Sequence, residues 1–318
     1  MTPPPTDPYP WQGRIDVEEI GPSTRWHQRV QALHPGARGG VTLIGFAVDE
    51  GVRRNGGRVG AAQGPRALRD ALTNIPTFGE PELFDAGDVE CRDGDLEVAQ
   101  ATLASVVAEV LQRQSLPLVF GGGHEMAWGT FQGIVRELPR HKRLLVVNLD
   151  AHFDLRVARV GNSGTPFRQM HQWCEAQALP FNYRVFGVSR FANTQALFDR
   201  AQAIGARYWL DEDLQDTAGL QAAQQALAAD LDACDAVYLT VCLDVLPASL
   251  APGVSGPAPL GVPLHQVETL MDQVLASGRL IAADIAELNP SKDRDDLTAR
   301  VAARLAARIA RGARSPQG

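Results

Sequence analysis

A single α/β domain built on a parallel sheet is the fold class that this sequence predicts, on three observations. Short apolar runs the length of buried strands, among them 41–46, 116–120, 144–147 and 236–243, alternate with stretches of helical periodicity. No obvious linker interrupts that rhythm. Several of the runs end in polar, ligand-type side chains, and open α/β sheets place their binding sites at the carboxyl ends of strands. A chain of 318 residues, 45% of them hydrophobic, is long enough to bury one large core.

Composition narrows the function classes. The formal net charge of -7, with no basic block interleaved with aromatics, argues against a nucleic-acid partner. The cysteines, Cys91, Cys174, Cys234 and Cys242, are scattered rather than framed as a disulfide scaffold, so a reducing, cytoplasmic setting is expected. Residues 1–10 are proline-rich with no apolar centre, unlike a signal peptide, and no apolar run is long enough to span a membrane.

In chain order, residues 1–40 read as a proline-rich arm followed by a segment whose Trp11 and Trp26 pack against the body, with the main domain at 41–314. The strand at 41–46 leads into a flexible, glycine-rich loop at 51–60 that carries Arg53, Arg54, Asn55 and Arg58 but lacks the spacing of a nucleotide-binding loop. Arginine forks suit carboxylates, so Arg54 and Arg58 are candidate substrate contacts. Gly64-Pro65 opens a helix over about 65–73, and 82–85 is a short strand. The helix at 96–112 is apolar along Leu96, Ala99, Leu103, Val107, Val110 and Leu111. The strand at 116–120 ends in Gly121-Gly122-Gly123-His124-Glu125, and Trp128, Phe131, Val135 and Leu138 continue as a helix. His124 therefore sits where strand turns into helix, on backbone that glycine lets bend closely.

The run at 144–147 enters Asp150-Ala151-His152-Phe153-Asp154, whose ligand-type side chains are spaced two apart and would share one face of extended chain. The polar loop behind it offers Arg156, Asn162, Ser163, Thr165 and Arg168 to a pocket. Strands follow at 183–188 and 206–210, and an alanine-rich helix contains 220–227. The strand at 236–243 delivers Cys242 and, by alternation, Asp244 on the same face. After a proline-rich loop and a helix at 264–275, the last strand at 279–285 leads to Glu287, Asn289 and Pro290. The final helix, from about 296, carries arginines opposite its apolar side, expected to be a solvated or subunit-contact face.

His124, Asp150, His152, Asp154, Cys242 and Asp244 thus come from three strand ends. They are more ligands than one ion needs, whereas two cations about 3.5–4 Å apart would use them all through bridging groups. A carboxylate-rich set with two imidazoles suits Mn²⁺ over Zn²⁺ or Fe²⁺. Such a pair would make a water nucleophilic enough to attack an electrophilic carbon bound to nitrogen or oxygen. Glu287 could pair with a cationic group of the substrate.

Four segments, Gly121–Glu125, Asn148–Asp154, the loop from Asp244 to Pro257, and Asp284-Ile285-Ala286-Glu287-Leu288-Asn289-Pro290, resemble the ureohydrolase family that includes arginase and agmatinase, over roughly residues 40–310. Residues 51–58 and 163–169, with Val245-Leu246-Pro247 and 251–255, are most similar to its formimidoylglutamase branch. The resemblance implies a three-layer α/β/α fold with a mostly parallel sheet of about eight strands. It also implies a binuclear manganese site, in which His124 binds one ion, His152 the other, Asp150 bridges, Asp154 completes the first site and Asp244 belongs to the second. Glu287 matches the acid that meets a guanidinium and would here hold the amidinium of N-formimidoyl-L-glutamate. Arg54, Asn55, Arg58, Arg156, Asn162, Thr165 and Arg168 would supply the rim for its carboxylates, and Asp154 with Ser163 the proton path. Two positions depart from the commoner pattern: Cys242 replaces a bridging aspartate and Ser163 a histidine implicated in proton transfer. Another ureohydrolase acting on a guanidino compound, or a non-catalytic metal-binding relative, stays open, and the family commonly forms homo-oligomers.

Overall fold

Aliphatic and β-branched runs become parallel strands where helices can cover both of their faces. The computed structural model describes residues 9–313; positions 1–8, where the proline-rich arm is expected, and the expected domain end at 314 lie outside them. The strands are β1 (Val30–Ala32), β2 (Val41–Ala47), β3 (Leu83–Glu90), β4 (Leu116–Gly121), β5 (Leu144–Leu149), β6 (Asn182–Val188), β7 (Arg207–Leu210), β8 (Ala236–Cys242) and β9 (Leu280–Ala286). The helices are α1 (Glu50–Arg54), α2 (Gly64–Leu72), α3 (Leu96–Gln112), α4 (Met126–Glu137), α5 (Pro166–Ala176), α6 (Gln195–Ala203), α7 (Thr217–Ala233), α8 (Leu264–Ala276) and α9 (Leu297–Gly312).

All strands pair in parallel, in the order β1-β3-β2-β4-β9-β8-β5-β6-β7. Alternation divides each central strand between two cores. Leu145, Val147, Val237, Leu239 and Val241 pack with residues of α2, α7, α8 and α9. Val146, Tyr238 and Ala282 pack with residues of α3, α4, α5 and α6. The result is three layers, α/β/α. Strands β4 and β5 follow one another in sequence, yet β9 and β8 stand between them. The loops leaving these four adjacent strands therefore meet at one carboxyl-end crevice, where such sheets bind ligands.

Four features differ from the sequence expectation. Residues before 41 do more than pack: β1 adds an edge strand to β3, and Trp11 Nε1 donates to Asp85 Oδ2 at 2.9 Å. The start of the 51–60 loop is helical, because Glu50 pairs with Arg53 and Arg54 one turn on, at 2.6 and 3.0 Å. The strand expected at 82–85 runs on to Glu90, lengthened by an irregularity opposite Leu43–Gly45. The arginines of α9 are not simply solvated. Arg304 and Arg308 form paired hydrogen bonds to Glu268 and Asp272 on α8.

Candidate metal centre

The ligand-type residues converge because the strands stop before them. β5 ends at Leu149, and the Asp150 carboxylate accepts the His152 amide at 2.7 Å, turning the chain at once. Asp154 follows in a left-handed conformation, φ 47°. The extended-chain argument for 150–154 is therefore replaced by a turn, which sets His152 and Asp154 on the crevice wall and leaves Asp150 fully buried. At the end of β8, Asp244 likewise sits in a single 3₁₀ turn rather than on the pleat. Glu287, just past β9, has φ 71°, an uncommon conformation for a non-glycine residue. Its Oε1 accepts the His124 amide at 3.0 Å, which ties the ends of β9 and β4 together.

The geometry falls into two triads that share Asp150: His124, Asp150 and Cys242, and Asp150, His152 and Asp244, with the ligand atoms of each within 4.8 Å of one another. His124 Nδ1 lies 3.0 Å from Asp150 Oδ2 and 3.0 Å from Asp154 Oδ2. His152 Nδ1 lies 3.1 Å from Asp244 Oδ2 and 3.5 Å from Asp150 Oδ1. Outer contacts hold these groups. Asn148 Nδ2 donates to Asp150 Oδ2 at 3.0 Å and touches the Tyr183 hydroxyl, and Thr240 Oγ1 meets His124 Nε2 at 2.9 Å.

The electrostatics are those of a buried anionic hole. Burial opposes charge on both imidazoles, yet the facing carboxylates hold His124 and His152 well above the ordinary histidine value. Burial and the Asp150 charge push Asp154 up, and burial with the Asp244 charge pushes Glu287 up to about 7. Burial, with Asp150, Asp244 and Glu287 nearby, holds the Cys242 thiol well above its usual range. His124 Nδ1, Asp244 Oδ1 and Glu287 Oε2 are buried without an aligned hydrogen-bond partner among the described residues. Carboxylates and imidazoles that draw protons to offset buried negative charge, with unpartnered lone pairs facing each other, fit divalent cations.

The crevice above them, about 100 Å³, is lined by His124, His152, Asp154, Cys242, Asp244 and Glu287 below and by Asn55, Arg156, Ser163 and Ser255 above. Asn55 Nδ2 donates to Ser163 Oγ at 3.1 Å, joining the two overhanging loops. The Arg156 guanidinium reaches the crevice and forms no hydrogen bond or ion pair among the described residues. The other rim candidates stand elsewhere. Arg54 is consumed by Glu50, Glu97 and the carbonyls of Gly94 and Gly161. Arg58 donates to the carbonyls of Ser255, at 2.8 Å, and Val254. Asn162 and Thr165 are buried in mutual bonds that shape the turn presenting Ser163. Arg168, on α5, is half-buried, does not line the crevice and makes no such contact among the described residues. Sequence reasoning passed over Asn148, Thr240, Tyr183 and Ser255. Asn148 and Thr240 had a signal, a polar residue inside an apolar strand, and Ser255 had only its place in a loop that carries the family resemblance.

Residues 40–311 match the model of the arginase family. The chain belongs to the arginase family. Within the arginase family it is 49% identical over 318 residues to a formimidoylglutamase of Ralstonia nicotianae, covering 98% of this chain and 97% of that one. It is 51% identical over 307 residues to a formimidoylglutamase of Cupriavidus pinatubonensis, covering 94% and 97%. Its fold matches the crystal structure of a Bacillus subtilis formimidoylglutamase with a TM-score of 0.83 at 22% identity, over 95% and 94% of the two chains. A Trypanosoma cruzi formiminoglutamase determined with two Mn²⁺ ions matches with a TM-score of 0.77 at 26% identity, over 86% and 93%.

Proposed function

We propose that the protein is a formimidoylglutamase, hydrolysing N-formimidoyl-L-glutamate to L-glutamate and formamide in histidine degradation with two Mn²⁺ ions. The observation that carries the reading is the pair of buried ligand triads sharing Asp150, beneath a crevice that contains Glu287 and the unpaired Arg156. Nearly full-length likeness to formimidoylglutamases supports the choice of substrate over a guanidino compound. His124, Asp150, Asp154 and Cys242 would hold one ion and Asp150, His152 and Asp244 the other. When bound, the ions supply Lewis acidity and a water that ionises near neutral pH.

The side chains divide the remaining work. Glu287 Oε1 is fixed by the His124 amide, so Oε2 is free to take an N–H of the amidinium and hold its carbon over the triads. Arg156 pairs with a carboxylate of the glutamyl group, which agmatine lacks. Asp154 accepts the proton that the attacking water loses and returns it to the glutamate nitrogen, which must be protonated before it leaves. Ser163, held by Asn55, orients a water on that path, since its hydroxyl does not titrate near pH 7. Arg58, Asn162 and Thr165 shape the rim, and Arg54 braces it. Among the described residues no helix is long and apolar enough to cross a membrane. The setting that we propose is the cytoplasm, with the enzyme kept from nucleic acid by its negative charge and assembled as a homo-oligomer.

The test is an assay of the purified, Mn²⁺-loaded protein against N-formimidoyl-L-glutamate, arginine, agmatine and guanidinobutyrate. Turnover of the first alone is expected. Preference for a guanidino substrate would overturn the substrate assignment, and turnover of none by folded, metal-loaded protein would overturn the enzyme.

A further inference from the structure

Beneath the ligands lies a buried polar group that the proposed chemistry does not use. β8 and β9 pair with Thr240 directly beside Asp284, both fully buried. Tyr238, two residues before Thr240 and on the same face of the sheet, donates its hydroxyl to Asp284 Oδ2. Asp284 Oδ1 has no hydrogen-bond partner among the described residues. Burial pushes the Asp284 carboxyl up, against the pull of His124 and of the Thr240, Tyr238 and Thr130 hydroxyls around it. A carboxylate buried in an apolar strand is costly unless hydrogen bonds satisfy both of its oxygens, and only Oδ2 is satisfied here.

The His124 ring points to that task. Its Nε2 is 2.9 Å from Thr240 Oγ1, while Nδ1, on the other side of the ring, is 3.0 Å from both Asp150 and Asp154. An imidazole offers one nitrogen to a cation when the other carries the proton and has an acceptor for it. A threonine hydroxyl can accept that hydrogen and donate its own, provided an acceptor lies beyond. We propose that Asp284, gripped by Tyr238, is a positioning residue that acts through Thr240: it takes the Thr240 hydroxyl hydrogen, turns an Oγ1 lone pair to the His124 Nε2–H and leaves the Nδ1 lone pair for the ion.

The proposal rests on the metal reading above. The test titrates MnCl₂ into the metal-free full chain and reads free Mn²⁺ by electron paramagnetic resonance. Thr240→Val and Asp284→Ala should each weaken Mn²⁺ binding by about tenfold or more. The double variant should be no weaker than the worse single one, because both break one path. Thr240→Ser, which keeps the hydroxyl, should bind as the wild type does. Should Asp284→Ala fail to fold, Tyr238→Phe replaces it in the cycle. Losses that multiply in the double variant, or unchanged affinity with only a lower Tm, would overturn the proposal while the metal reading stands. A wild type that binds no Mn²⁺ would overturn both.

Discussion

Glu287→Gln is the substitution that most directly probes how the crevice grips its substrate. Glu287 Oε1 accepts the His124 amide at 3.0 Å, and Oε2 is buried without a partner. The glutamine oxygen can keep the first bond, so the backbone at φ 71° and the neighbouring ligands should stay in place. At the Oε2 position, however, an NH₂ donor would then face the N–H donors of a cationic amidine. A charge-assisted bond between buried groups contributes about 3 kcal/mol, which is roughly a 150-fold change in rate or affinity. We therefore expect kcat/KM on N-formimidoyl-L-glutamate to fall by about two orders of magnitude at unchanged manganese content. The assay is steady-state kinetics of metal-replete wild type and variant, with metal measured on the same samples. Equal kcat/KM would refute Glu287 as the amidine anchor. Loss of metal along with activity would show instead that Glu287 acts on the ligands.

Other expectations follow from the same geometry. Arg156→Ala should raise KM by about tenfold or more with Tm unchanged, whereas Arg54→Ala, which cuts the links to Glu50 and Glu97, should lower Tm; the opposite pattern would exchange their roles. Burial, with the Glu287 charge nearby, pushes Glu125 up to about 8, so the folded state binds the extra proton and its stability falls as pH rises from about 4.5 to 8. Glu125→Gln keeps an acceptor for the Gly51 amide, and its Tm advantage over the metal-free wild type should grow across that window; a pH-independent difference would contradict the buried-acid account. The Cys242 thiol must lose a proton to bind a cation, so Cys242→Asp should bind Mn²⁺ more tightly than wild type or Cys242→Ser, with the gap widening below pH 7 in calorimetric titrations; equal affinities in all three would remove Cys242 from the site. Ser163→Ala should keep its metal content and lose less rate than Glu287→Gln; a larger loss would mean that the hydroxyl itself moves the proton.

Much of the fold was legible because it depends on periodicity. Buried parallel strands must be short and apolar, their covering helices must be amphipathic, and both patterns are visible along the chain. β1 was not, since three residues carry no measurable period and the strand exists only because β3 offers it an edge. Residue type and position at strand ends singled out His124, Asp150, His152, Asp154, Cys242 and Asp244 as ligands and Glu287 as a partner for a cationic group, and the family resemblance made that group an amidinium. Their convergence came from the strand order, which sets β9 and β8 between β4 and β5, and from the turns at Asp150–Asp154 and Leu243–Val245.

The rim was read least well, for a physical reason. An arginine looks alike in sequence whether its guanidinium meets a ligand or a neighbouring carboxylate. Arg54 has Glu97, 43 residues away, and Arg156 has no such partner among the described residues. The placement of the loop at 51–60 was equally hidden. Asn289 Nδ2 holds the carbonyls of Arg58 and Val59 across a separation of about 230 residues. Gly60, at φ 132°, leaves no room for a side chain, since a Cβ there would lie 2.3 Å from Asn289 Oδ1. By itself the sequence determined the fold class, the ligand chemistry and the strand ends that bear it, because these depend on local pattern and residue type. Only the tertiary structure decided which charges neutralise one another and which face the crevice, because that depends on contacts between residues far apart in the chain.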